Sequence, residues 1–351
     1  MLRKTVAAAM LMLALSLPAA ATAADRHPIE IRTEIPFTAE PVYPDNQRAD
    51  AKGYFHVATS PGQTQQFRVR LTNRKAEPLS LTVRKADAYT SPQGGIVYEA
   101  AVDSDDVALS DDAPRMSSLM KAPDAVTLEP NATSEFTFSV TSPSVESGTV
   151  LGGIQFAYLS AETGGESPAA GADEVRIGLR SETVVGIAVQ LDLPNAATPA
   201  FTIGDAGFNP DTGHVFVEMR NDAQLIQRGV SGTYRVERPD GTLLFEGAFP
   251  AFNMAPMSRM RYRLPWDSPT LETGTFSISL QVNAGGTPVA VQKDFSVGNS
   301  DVGRYVERNP QIAGVQTPTM PAWAWAVVGA CLAAVGAVAA FWFLSRRKAK
   351  A

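Results

Sequence analysis

Three histidines, one cysteine and a knot of carboxylates are the side chains here best suited to do chemistry. His27, His56 and His214 lie far apart, near strand-like stretches or the expected mature N-terminus, with no metal-ligand spacing. His56, inside Tyr54-Phe55-His56-Val57, reads as a strand residue pointing outward rather than as a base. No Gly-x-Ser-x-Gly elbow, phosphate-cradling glycine loop or zinc-protease helix motif occurs. Asp103, Asp105, Asp106, Asp111 and Asp112 crowd residues 103–112, but nothing apolar there would raise one pKa for general acid work. Their spacing also lacks the glycine and terminal glutamate of a calcium loop. The stretch reads as a solvated loop, with calcium binding the lesser alternative. These observations predict a protein that is not an enzyme and carries no cofactor.

What remains is a polar loop. Tyr43, Asn46, Gln47 and Tyr54 crowd aromatic and amide groups into a proline-marked segment ahead of Gln66–Asn73. Aromatic faces stack on sugar rings, and amides both donate and accept hydrogen bonds, so one reading is a binding surface. The other is that these side chains only serve loop geometry, as Asn and Pro often do.

The elements that must position this loop are strands. Phe67, Val69 and Leu71 alternate with Arg68, Arg70 and Thr72, the period of a half-buried strand. Further strands are expected at 29–33, 79–83, 96–98, 126–128, 135–141 and 149–159, and at 175–193, across a Gly/Ala/Ser-rich loop at 162–172. A short helix is expected around 116–121. Gly152-Gly153 implies a bulge or a close backbone approach. Thr183-Val184-Val185 implies burial on both faces. Residues 194–199 form a Pro/Ala/Asn linker, and seven strands between 201 and 297 fit an immunoglobulin-like sandwich of about 100 residues. There Val215, Val217 and Met219 form one inward row, and Phe276, Ile278, Leu280 and Val282 another. The fold class is thus all-β: two tandem immunoglobulin-like sandwiches, at 26–194 and 199–297, with an aperiodic stalk at 298–321.

The ends read as export and anchoring signals. Arg3 and Lys4 precede an apolar run closed by Ala21-Thr22-Ala23, a cleaved signal peptide over 1–23. Residues 322–344 carry no charge and suffice for a single transmembrane helix, with Arg346, Arg347, Lys348 and Lys350 marking a cytoplasmic tail at 345–351. Removing both ends leaves 24 basic against 36 acidic residues, which argues against nucleic acid as a partner. The single cysteine, Cys331, falls within the span, so the exported part has no disulfide. The expected location is the cell membrane, N-terminus outside, with the β domains on the outer side.

Pro44-Asp45-Asn46-Gln47, Gly53-Tyr54-Phe55-His56-Val57, Pro61-Gly62-Gln63, Val69-Arg70-Leu71-Thr72-Asn73, Gly95-Ile96-Val97-Tyr98 and Leu128-Glu129-Pro130-Asn131 together resemble the WxL-interacting surface proteins of Gram-positive bacteria. Ala255-Pro256-Met257-Ser258, Leu264-Pro265-Trp266 and Leu271-Glu272-Thr273-Gly274 extend the likeness into the second domain. The resemblance implies a first domain that binds peptidoglycan, a second that binds host extracellular proteins, and WxL-type wall proteins as partners. With that implication, Tyr43, Asn46, Gln47 and Tyr54 are the candidate residues for contact with peptidoglycan, loop geometry and core edge remaining the competing reading. The alternative is a scaffold that docks other surface proteins without touching glycan.

Overall fold

A computed structural model describes residues 35–102, 104–160, 180–268 and 271–308. The expected strand at 29–33, the loop at 162–172, the start of the strand at 175, the signal peptide and the span at 322–344 lie outside these residues. Among the described residues no helix is long and apolar enough to cross a membrane.

In chain order the first part holds β1 (Phe37–Val42), β2 (Phe55–Ala58), β3 (Thr64–Asn73), β4 (Leu79–Thr90), β5 (Ile96–Glu99), β6 (Val107–Leu109), α1 (Met116–Leu119), β7 (Met120–Lys121), β8 (Ala125–Leu128), β9 (Thr133–Thr141), β10 (Thr149–Leu159) and β11 (Glu182–Asp192). The second part holds β12 (Phe201–Asn209), β13 (His214–Asn221), β14 (Gln227–Glu237), β15 (Leu243–Met254), β16 (Ser258–Pro265), β17 (Gly274–Ala284), β18 (Thr287–Val297) and α2 (Asn299–Arg308).

The first sandwich stacks sheet β1-β3-β9-β7 on sheet β2-β11-β10-β4-β5, with β8 also paired to β4. Alternation along the strands dictates the core. Phe67, Val69 and Leu71 of β3 and Phe136, Phe138 and Val140 of β9 all point inward and are buried. Phe55 meets Phe67 and Phe138 at centroid distances of 4.9 and 6.0 Å, tying β2 to the opposite sheet. Pro41 sits in β1, an edge strand, where its missing N–H costs no ladder bond.

The second sandwich uses all seven strands. β12, β13 and β16 form one sheet and β15, β14, β17 and β18 the other. Val215, Val217, Met219, Ile278 and Leu280 form the core expected from alternation. Trp266 makes T-shaped contacts with Phe208, Phe245 and Phe276.

Four expectations need correction. The acid-rich stretch 103–112 is not wholly a solvated loop. Its Val107–Leu109 segment, β6, leaves the first sandwich and adds to the edge of β16 in the second. Asp106 beside it is 8% exposed, because its carboxylate accepts a 2.7 Å bond from the Arg263 guanidinium. Thr183-Val184-Val185 is not buried on both faces: Val184 is 42% exposed. Residues 299–308, expected to belong to an aperiodic stalk, form a helix. Val302 and Val306, one turn apart, rest on the second core, and Asp301 Oδ2 accepts from the Gly298 amide to cap the start. His56 faces away from the core, yet is 7% exposed and paired to Asp192.

Gly152-Gly153 is a close approach without a register break. A Cβ at Gly152 would strike the Met116 side chain, and one at Gly153 would lie 2.9 Å from the Ile187 carbonyl oxygen.

The described residues from Pro36 to Arg308 belong to one compact unit. The sandwiches meet through main-chain bonds from Thr149 N to Gln224 O (2.7 Å), Arg261 N to Asp106 O (2.7 Å) and Arg263 N to Pro92 O (2.9 Å). Ala88, Leu151 and Ala255 form a small apolar cluster at the same place.

Candidate functional site

The four loop residues sort into two groups. Gln47 makes a bridge to Val57, and its amide is spent on the loop: Oε1 accepts from His56 N (3.1 Å), while Nε2 donates to Ala51 O (3.2 Å) and Tyr54 O (3.0 Å). Tyr43 uses its hydroxyl to accept from Gly53 N at 2.7 Å, where Gly53 adopts φ +82°. Asn46 and Gln65 exchange amide bonds of 3.1 and 2.8 Å. These three side chains therefore brace the loop, though Tyr43 and Asn46 also reach solvent. Tyr54 is different: its ring is free to face outward over the sheet, and it stacks on His56 with centroids 6.0 Å apart.

Period-2 alternation puts Phe55 and Val57 into the core and therefore Tyr54 and His56 on the outer face of the β2-β11-β10-β4-β5 sheet. His56 Nε2 lies 2.6 Å from Asp192 Oδ2. Asp192 Oδ1 accepts from Thr149 Oγ1 and Gln190 Nε2, both at 3.0 Å. Burial pushes the Asp192 carboxyl up, but the hydrogen bonds from Gln190, His56 and Thr149 outweigh it and hold the pKa below the usual carboxylate range. Among the described residues no hydroxyl or thiol is hydrogen-bonded to the His56 ring. The pair fastens the end of β11 to β2.

Beside this pair the outer face opens into a cleft of about 640 Å³. Its floor is made of small residues, Gly153 of β10 and Gly186 and Ala188 of β11. Tyr54 and Tyr98 supply aromatic surface, and Gln155 and Gln190 bring amides to the lining. Gln155 Nε2 donates to Tyr98 O at 2.8 Å, which fixes β5 beside the floor. Burial, with a smaller contribution from Tyr54, pushes the Tyr98 hydroxyl up to about 12, so it remains a neutral donor and acceptor. Ile226, Arg228 and Asn253 of the second sandwich line the same cleft.

Of the four sequence-derived residues, the cleft takes in Tyr54 alone. Tyr98, Gln155, Gln190, Arg228 and Asn253 were missed. Gln155 and Gln190 had a legible signal, since each is a lone amide between apolar neighbours in a strand (Ile154-Gln155-Phe156, Val189-Gln190-Leu191). Asp106 and Arg263 come together as an interdomain pair, and Asp103 lies outside the described residues. Among the described residues no group of three or more His, Cys, Asp or Glu could hold a metal ion.

The described residues thus form two β-sandwiches with a tyrosine-and-amide cleft on one outer sheet face. Residues 37–158 match the family model described as WxL Interacting Protein, peptidoglycan binding domain, and residues 173–307 match the WxL Interacting Protein, host binding domain. The chain belongs to the WxL-interacting protein family. The second match begins ahead of β11, a strand that the fold places in the first sandwich.

No curated protein matches the chain. Solved structures with some likeness include a chain of the CsuC-CsuE chaperone-tip adhesion subunit pre-assembly complex from archaic chaperone-usher Csu pili of Acinetobacter baumannii (10% identity, 75% of this chain and 99% of that one, TM-score 0.30). The E. coli chaperone DraB (11%, 75% and 96%, 0.28) and the Pseudomonas aeruginosa CupB2 chaperone (12%, 69% and 97%, 0.25) are others.

Proposed function

We propose that this protein is a cell-surface binding protein that holds peptidoglycan in the outer-face cleft of its first sandwich. The observation that carries the reading is the cleft itself: two tyrosines and two amides over a floor of small residues, with Tyr54, Tyr98, Gly153 and Gln155 inside the segment matched as a peptidoglycan binding domain and Gly186 and Gln190 supplied by β11, the strand of the first sandwich that falls in the second match. Tyr54 stacks on a sugar ring, while Gln155 and Gln190 exchange hydrogen bonds with hydroxyl and peptide groups. Tyr43, Asn46 and Gln47 serve the site by holding the loop that presents Tyr54.

The second sandwich, matched as a host binding domain, supports extracellular proteins as its partners, and the family description supports WxL-type proteins as associates. The uncharged stretch 322–344 with the basic residues after it supports a single membrane anchor, and the N-terminal pattern supports export.

Sedimentation of the full chain, kept soluble in detergent, with insoluble peptidoglycan tests the reading. Wild-type protein is expected in the pellet. Tyr54→Ala should move most of it to the supernatant while circular dichroism still shows a cooperatively folded protein, since Tyr54 is half-buried on the outer face and belongs to no core cluster. Wild-type protein that stays in the supernatant, or a Tyr54→Ala variant that pellets equally, refutes it and leaves the protein-docking scaffold.

A further inference from the structure

The cleft on the first sandwich is not completed by the first sandwich. Arg228 and Asn253 come from neighbouring strands of the second, and their local backbone is irregular in a specific way. β14 and β15 pair from Gln227 with Met254 and then from Val230 with Phe252, so two residues of β14 stand against one of β15. That is a β-bulge, a device that re-aims a side chain. Gly229 takes φ +65° within it, and its amide donates to Asn253 Oδ1 at 3.1 Å, which fixes the bulge. The bulged residue is Arg228, exposed, lining the cleft and joined to no carboxylate among the described residues. Arg84 of β4, on the same sheet as the cleft floor, is by contrast paired with Glu182. Glu99 is the one carboxylate in the described lining, and no ion pair joins it to Arg228.

We infer that the Arg228 bulge is a specificity element of the cleft that recognises a free carboxylate on the ligand, the carboxyl of a cell-wall stem peptide, while the Tyr54 side holds the sugar. This rests on the peptidoglycan reading of the cleft. A guanidinium presents a planar fork matched to a carboxylate, and the Asn253 Nδ2 group supplies a further donor because its Oδ1 is already occupied. The second sandwich is thereby part of the wall-binding site and selects among wall fragments by their charge. Binding in the cleft also engages both sandwiches at once.

Calorimetric titration of the full chain with two soluble disaccharide-peptide fragments, one ending in a free carboxylate and one in the corresponding amide, decides this. Wild-type protein should prefer the acid by about tenfold, or about 1.4 kcal/mol. Arg228→Gln should remove that preference by weakening the acid alone, and Arg228→Lys should restore part of it. Equal binding of both fragments by wild type, or equal weakening of both by Arg228→Gln, overturns the inference while Tyr54→Ala still abolishes binding and leaves the cleft reading intact. Failure of both fragments to bind wild type takes both readings down. Arg228 contributes no ion pair to the described structure, so its loss leaves the fold as the control.

Discussion

Replacing Thr90 by valine tests what joins the two sandwiches. Thr90 is the last residue of β4 and is fully buried, as is Ala255; Ser258 at the start of β16 is 2% exposed. Three hydrogen bonds close a ring among them. The Ala255 amide donates to Thr90 Oγ1 at 2.9 Å, and Ser258 Oγ donates to the Ala255 carbonyl at 2.7 Å. The 2.6 Å contact between the two hydroxyls therefore takes its proton from Thr90. Valine keeps the shape and removes the oxygen. The Ala255 N–H then has no acceptor and the Ser258 oxygen no donor, in a place water does not reach. A buried group left unpaired costs roughly 1–3 kcal/mol, so the two together should cost about 3 kcal/mol. For a chain of this size that is a fall in melting temperature of roughly 6–12 °C, read by circular dichroism. Thr90→Ser retains the oxygen and loses one buried methyl, about 1 kcal/mol. A double-mutant cycle with Ser258→Ala should show strong non-additivity, because both changes break the same ring. If Thr90→Ser and Thr90→Val melt together, packing and not the hydrogen-bond ring holds this junction, and the reasoning fails.

Asp106→Ala should destabilise by about 2 kcal/mol, since it leaves the Arg263 guanidinium half-buried without its carboxylate. Limited proteolysis should also find new cleavage near 101–106; an unchanged digest and melting curve would count against the clamp. Asp192 has a folded pKa below its unfolded one, so its contribution is complete at neutral pH and down to about pH 4. It is lost as pH falls through the depressed folded value. Asp192→Asn should therefore lower the melting temperature at pH 7 and flatten its decline below about pH 4; parallel wild-type and variant curves would contradict the assignment.

The strands were legible because one side of each is wet. Phe67, Val69 and Leu71 against Arg68, Arg70 and Thr72 state a face and a register without any tertiary information, and so do Val215, Val217 and Met219. Three features were not legible. β6 is three residues long and sits among aspartates, and its partner β16 is some 150 residues away, so no local period marks it. The helix at 299–308 rests on Val302, Tyr305 and Val306, too short a stripe to stand out from its polar surroundings. The braced loop shows the reverse problem: Asn46 and Gln47 look like ligand-binding amides because their true partners, Gln65 and the backbone of 51–56, are set by the fold. The cleft gathers residues from Gly53 to Asn253 across five strands and two sandwiches, so its composition follows from topology.

The borrowed strand has a mechanical meaning. If the second sandwich hung from the first by residues 194–199 alone, any pull between them would run through one peptide and let the two bodies swing apart. Because β6 is held in the first sandwich at both of its ends and zipped to β16, tension is shared between the covalent tether and a hydrogen-bonded seam with the Asp106–Arg263 pair at its end. Separating the bodies requires shearing or peeling that seam before the tether can extend, so under load the two sandwiches behave as a single stiff strut.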